Sequence, residues 1–426
     1  MLREVKIFLS GFVLLTLFSS TAFADVVERR KDQFGQDFGY YLYPIAGEIP
    51  GIGKAAGFGA SVLNMADGDT DFTGYYVRGD FKATGAAMLD YHIVPNRVLF
   101  DAGYNDYVVA ATQYNRGIDS NPDDVIFPKV EGRYLISQVT LTFDQRRYEL
   151  FARMIHGQNR LLEVLDKDRQ AFTGIDKNWN VGNSYSLGGS MDLTDDRVDP
   201  RSGVRLEFSS RIPNGHNEDR SDYFVNDFNL TTYTPMRSQD TLALNLFYSR
   251  AHVIRSGLTD YTLLQQRYGL DCVAKYPAGP DRVACQSAES KLLDGTLANN
   301  KYGTASPLGG TQRLRSFDNG RFYAGQALSY GVEYRWNLTD ERTPFDIFIA
   351  KGIRTGVQLA AFWERGMVAD EFSQLFKNGR ESYGIGARLI LSGVIIRFDL
   401  AQGPEGAQSQ LFITYPWSMF SVDSPG

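Results

Sequence analysis

Residues 328–338 read Leu-Ser-Tyr-Gly-Val-Glu-Tyr-Arg-Trp-Asn-Leu, and their alternation sets the kind of fold the chain can have. Leu328, Tyr330, Val332, Tyr334, Trp336 and Leu338 fall on one face, and Ser329, Gly331, Glu333, Arg335 and Asn337 on the other. Successive side chains of a strand point to opposite sides, so this strand has one apolar and one charged face. A soluble sandwich turns the apolar face to a core. A membrane barrel turns it to lipid and lines its lumen with the charged one. Period alone leaves both open. Just upstream, residues 307–317, Pro-Leu-Gly-Gly-Thr-Gln-Arg-Leu-Arg-Ser-Phe, are polar, glycine-containing and too irregular for a strand, which predicts a loop with a role of its own.

Similar alternation recurs along the chain. Val357, Leu359, Ala361 and Trp363 interleave with Gln358, Phe362 and Glu364; Val394, Ile396, Phe398 and Leu400 interleave with Arg397 and Asp399. The first strand is read at Gly57 to Met65 and the last at Gln408 to Tyr415, with Leu411, Ile413 and Tyr415 facing outward. Residues 107–130 and 157–182 read as connections, and 252–306 as the longest irregular region. About fifteen candidates emerge, and a further one hidden in a long loop would make sixteen, an even number as in single-chain bacterial barrels. Glu333, Arg335, Glu364, Arg397 and Asp399 sit on the inner faces. A soluble barrel of this size needs an apolar interior, so charge there points to an all-β, transmembrane antiparallel barrel with an inward-folded loop.

The N-terminus agrees. Arg3 and Lys6 precede an apolar run from Ile7 to Phe18, and Ala22-Phe23-Ala24 follows as a small-x-small cleavage site, so residues 1–24 read as a signal peptide. The rival reading, an anchoring helix, needs roughly twenty apolar residues. No later stretch could span as a helix, and insertion must be by strands. Residues 25–50 read as a short periplasmic segment and 51–426 as the barrel. With 42 Gly, 24 Tyr and 28 Phe the composition suits a wall with aromatic girdles, and the net charge of −6 argues against a nucleic-acid partner. Cys272 and Cys285 stand in a polar stretch of an exported chain and are expected to pair.

Enzyme signatures are missing: there is no nucleophile elbow, zinc-protease motif, phosphate loop or dinucleotide fingerprint, so no catalytic role or cofactor is expected. His92, His156, His216 and His252 are scattered. Asp67-Gly68-Asp69-Thr70-Asp71 opens like a calcium loop, but Phe72 and Arg78 replace the glycine and glutamate it requires, leaving a hairpin turn. Arg315 could be a solvated loop arginine. Yet Glu364 and Asp399 lie on charged strand faces, and an inward-folded loop would bring the guanidinium fork to both. Arg313, two residues earlier, is expected to matter little.

At Gly309, Gly310, Leu314, Arg315, Ser316 and Phe317 the loop resembles the sixth-loop motif of the outer-membrane assembly-factor superfamily, the BamA and TamA type, also called bacterial surface antigen barrels. Glu333-Tyr334-Arg335, Phe362-Trp363-Glu364-Arg365-Gly366, Gly384-x-Gly386 through Asp399, and Asp195-Asp196-Arg197 with Asp199-Pro200-Arg201-Ser202-Gly203 extend the resemblance. It implies a sixteen-stranded barrel in the bacterial outer membrane, with Arg315 locking the loop against Glu364 and Asp399 near Glu333. It also implies a seam between first and last strands that opens sideways to insert or translocate unfolded outer-membrane proteins, within or beside an assembly complex. The sequence departs from the motif at Ser316, where the family has glycine, and residues 25–50 are too short for a POTRA domain. A pore or structural barrel without such domains is the alternative.

Overall fold

A computed structural model describes residues 33–419 apart from 35–37, 50–51, 66–67, 166, 168–176, 213–218, 238–239, 341–344, 348–349, 354, 392–393, 414 and 418. The expected signal peptide lies outside the described residues. The wall is built from β1 (Gly39–Ile49), β2 (Gly53–Met65), β3 (Thr70–Gly79), β4 (Lys82–Val94), β5 (Val98–Ala110) and β6 (Phe127–Phe143). It continues through β7 (Tyr148–Leu165), β8 (Asn180–Asp192), β9 (Gly203–Ile212), β10 (Asp222–Pro235), β11 (Thr241–Arg255) and β12 (Gln326–Asp340). After a short hairpin, β13 (Phe345–Ile347) and β14 (Ala350–Ile353), the wall resumes with β15 (Thr355–Ala369), β16 (Arg380–Leu391), β17 (Val394–Gly403) and β18 (Gly406–Ile413). Leaving the hairpin aside, sixteen antiparallel strands form a nearly closed barrel, each laddered to its neighbour in chain order, with β12 pairing β15 directly.

Its two faces are inverted relative to a soluble protein. Leu150, Leu187 and Ile385 are 57%, 64% and 61% exposed, whereas Arg315, Glu333, Glu364 and Asp399 are fully buried. Apolar rings and aliphatic chains turned outward around a polar interior make sense only if lipid is the outer solvent. No helix of the described residues is long and apolar enough to cross a membrane. Long connections gather at one end of the barrel and mostly tight turns at the other.

Three readings of the sequence change. Residues 39–49 stand in the wall as β1, so the barrel begins before residue 51, and the strand read as first, Gly57 to Met65, lies inside β2 between β1 and β3. Pro44 hides β1 from a pattern search, because proline is kept out of central strands; it is tolerated where a strand has a free edge. Irregularity over 252–306 resolves into α1 (Tyr261–Tyr268), α2 (Cys272–Lys275) and α3 (Pro280–Tyr302). And Tyr415 faces in, not out: the chain leaves the wall after Ile413, and Tyr415 and Trp417 are buried.

That departure shapes the seam. β18 is 8 residues long, and among the described residues no ladder joins it to β1, although the two lie side by side. At the turn end, β1 is paired on its free edge by the hairpin instead, Tyr40 opposite Lys351 and Tyr41 opposite Ala350.

Cys272 and Cys285 are joined by a disulfide that ties α2 to α3 at the loop end. Their separation of 13 residues closes a short ring, worth about 3 kcal/mol in the chain-entropy model. Cys272→Ser with Cys285→Ser should therefore speed hydrogen exchange in α3 and leave the barrel's heat-dependent gel shift intact. Loss of that shift would mean that the insert supports the wall.

Candidate functional site: a loop held in the lumen

The connection from β11 to β12 continues past α3 and dips into the barrel. Its local shape is set by backbone positions that few residues tolerate: Gly309 and Gly310 have φ of 109° and 104°, and a Cβ on Gly309 would stand 2.4 Å from the Asp318 carbonyl oxygen. Leu314 adopts φ 52°, an uncommon conformation that turns the chain so that Arg315 points at the wall. Leu308, Leu314, Phe317 and Phe322 form an apolar core with Phe247, Ala327 and Val368, and the Phe317 and Phe322 rings meet edge to face at 4.9 Å.

Arg315 collects four interactions. Its backbone N–H donates to Glu364 Oε2 at 3.0 Å and its Nε to Glu364 Oε1 at 3.1 Å; Nη1 donates to Glu333 Oε2 at 2.8 Å and to Asp399 Oδ2 at 3.0 Å. The guanidinium stacks 3.4 Å from the centroid of Phe362, which widens the contact beyond charge. Strand alternation supplies this arrangement: Glu333, Glu364 and Asp399 are inward positions on β12, β15 and β17, and the intervening inward positions of β16 carry Gly384 and Gly386. A Cβ on Gly386 would stand 2.0 Å from Asp399 Oδ1, so the wall is thinned where the network sits. Arg388 and Arg335 complete it, Arg388 bridging Asp399 at 2.5 Å and Glu333 at 3.1 Å, and Arg335 donating to Glu333 at 2.8 Å.

Ser316, which stands where the resembled motif has glycine, donates its backbone N–H to Ser382 Oγ at 2.9 Å. Its side chain fits because Gly403 faces it, where a Cβ would lie 2.2 Å from Ser316 Oγ. The expectation of a dispensable Arg313 fails. Arg313 is 9% exposed, lies 3.8 Å over the Phe247 ring and donates to Asn229 Oδ1 at 3.0 Å.

A search of solved structures finds CdiB from Escherichia coli at 10% identity, over 88% of this chain and 62% of that one, with a TM-score of 0.51. The chain shares the barrel fold of that protein. BamA from Haemophilus ducreyi lacking POTRA domains 1–3 aligns at 11% identity over 89% of this chain and 70% of that one, with a TM-score of 0.47. This chain spans about three fifths of the CdiB chain's length. No family model and no curated protein matches.

Within this barrel, sequence reasoning missed two contributors. One is Arg321, fully buried, which donates to Glu405 at 2.8 Å and to Ser120 Oγ at 2.6 Å and so ties the loop to both the β17–β18 turn and the connection before β6. A flag was available in the Arg-Phe pair so close to the glycine motif. The other is the C-terminal segment: Trp417 Nε1 donates to Glu364 Oε1 at 3.0 Å and Tyr415 donates its hydroxyl to Asp199 Oδ1 at 2.7 Å. Periodicity cannot signal a strand that ends early. Among the described residues no cluster could hold a metal ion.

Proposed function

We propose that this chain is an outer-membrane barrel that inserts or translocates proteins through the seam between β1 and β18, with Arg315, Glu333, Glu364 and Asp399 holding the loop in place during the cycle. The observation that carries the reading is the distribution of pairing: every other neighbouring pair of wall strands is laddered, and the first and last alone are not, among the described residues. Separating strands that share no ladder breaks few hydrogen bonds, so sideways opening costs least there. The loop and the C-terminal segment occupy the lumen, which supports a sideways route over a passive axial pore. Its partners on this reading are membrane lipid and unfolded outer-membrane proteins.

The test is reconstitution. The mature chain in liposomes should raise the rate at which a urea-unfolded barrel protein becomes protease-resistant, by about tenfold over empty liposomes, while conducting few ions. Steady ion conductance with no effect on insertion would replace this reading with the pore.

A further inference from the structure

The seam opens on its outer face into a cleft of about 510 Å³, lined by Ala46 of β1, Ala56 of β2, Arg78 of β3, Phe398 of β17 and Ser409 and Leu411 of β18. That volume lies within the range of ligand sites. Its walls are small or apolar and face lipid, as the exposed Phe398 and Ala56 do on the same side of their strands. At its loop-end border stand three exposed cations, Lys54, Arg78 and Lys82. Lys54 donates its backbone N–H to Asp80 Oδ2 at 2.9 Å, so a carboxylate already lies beside it.

Arg78 and Lys82 differ. They are directly opposite each other in the β3–β4 ladder, on the outward face, and neither has an ion-pair partner among the described residues. Like charges directly opposite each other on adjacent strands are destabilising, and among the described residues neither cation makes an ion pair that offsets the repulsion. An anion between the two side chains would do so. A charged headgroup carried on an acyl chain matches both halves of the feature, since the anion meets the cation pair while the chain fills the cleft that the missing ladder leaves.

The geometry points to a binding site for a single phosphorylated anionic lipid at the seam, with its phosphate on Arg78 and Lys82 and its acyl chain between Ala46, Ala56, Phe398 and Leu411. This reading stands apart from the insertion activity proposed above, because the site is defined by the closed seam. A bound lipid there covers the unladdered strands and must leave when they part.

The experiment uses the mature barrel in non-ionic detergent with equimolar phosphatidylglycerol and phosphatidylcholine of identical acyl chains, the bound lipid being counted by native mass spectrometry. Phosphatidylglycerol should be retained about thirtyfold over phosphatidylcholine, the scale expected of two surface cations. Arg78→Gln with Lys82→Gln should bring the ratio near one. Ala46→Trp, which fills the cleft and keeps both charges, should expel either lipid. Equal retention of the two lipids by the unaltered barrel overturns the proposal, as does an unchanged ratio in the double variant. Displacement of phosphatidylglycerol by millimolar inorganic phosphate alone would show a headgroup-sized anion site and also overturn the lipid reading.

Discussion

Replacing Arg315 by alanine should lower the barrel's unfolding free energy by about 3 kcal/mol and release the loop to protease. Glu333, Glu364 and Asp399 are each fully buried and each bonded to this one guanidinium. Removing it leaves three carboxylates to Arg388, Arg335 and Arg397, of which Glu364 contacts none through a salt bridge among the described residues. A buried charge stripped of its partner keeps its full desolvation cost, and that asymmetry makes the effect large. Lysine should recover less than half of the loss, because one ammonium cannot span the positions the planar fork reaches. Arg380→Gln serves as the comparison, since its pair with Asp119 is exposed and worth little. Urea titration with protease mapping of the loop reads both effects. Equal losses for Arg315→Ala and Arg380→Gln would remove the lock from this account.

Linking the seam should abolish insertion activity. Ala46 and Ser409 line the same cleft from β1 and β18, so cysteines placed there can be bridged by a short bifunctional maleimide, the native pair being already oxidised. With the strands covalently joined, a client strand has no edge to reach, and client folding in liposomes should fall to the rate of empty liposomes. Cleaving a reducible version of the linker should restore it. Full activity in the linked barrel would exclude sideways opening. A second pair, Tyr40→Cys with Lys351→Cys, asks whether the hairpin strand β14 must also leave β1, because those residues face each other in the ladder. Activity that survives this second link would limit opening to the loop-end half of the seam.

The sequence by itself determined the wall and its polarity. Residues 328–338 alternate strictly, and side-chain direction in a strand is a local property, so apolar and charged faces could be read from the chain without knowing any neighbour. The inner positions Glu333, Glu364 and Asp399 followed from the same period, and the resemblance of residues 309–317 to a known loop motif singled out Arg315 as their partner. What only the tertiary structure decided depends on contacts between distant segments. Tyr415 continues the outward alternation of Leu411 and Ile413, yet it turns inward to Asp199, 216 residues earlier, because burying the phenol against that carboxylate outweighs continuing the strand. Once β18 stops there, the seam, the hairpin on β1 and the lipid-facing cleft follow. Arg313 was misjudged for a related reason: its charge reads as solvent-seeking, and nothing in its neighbours along the chain tells of the Phe247 ring that receives it in the folded lumen.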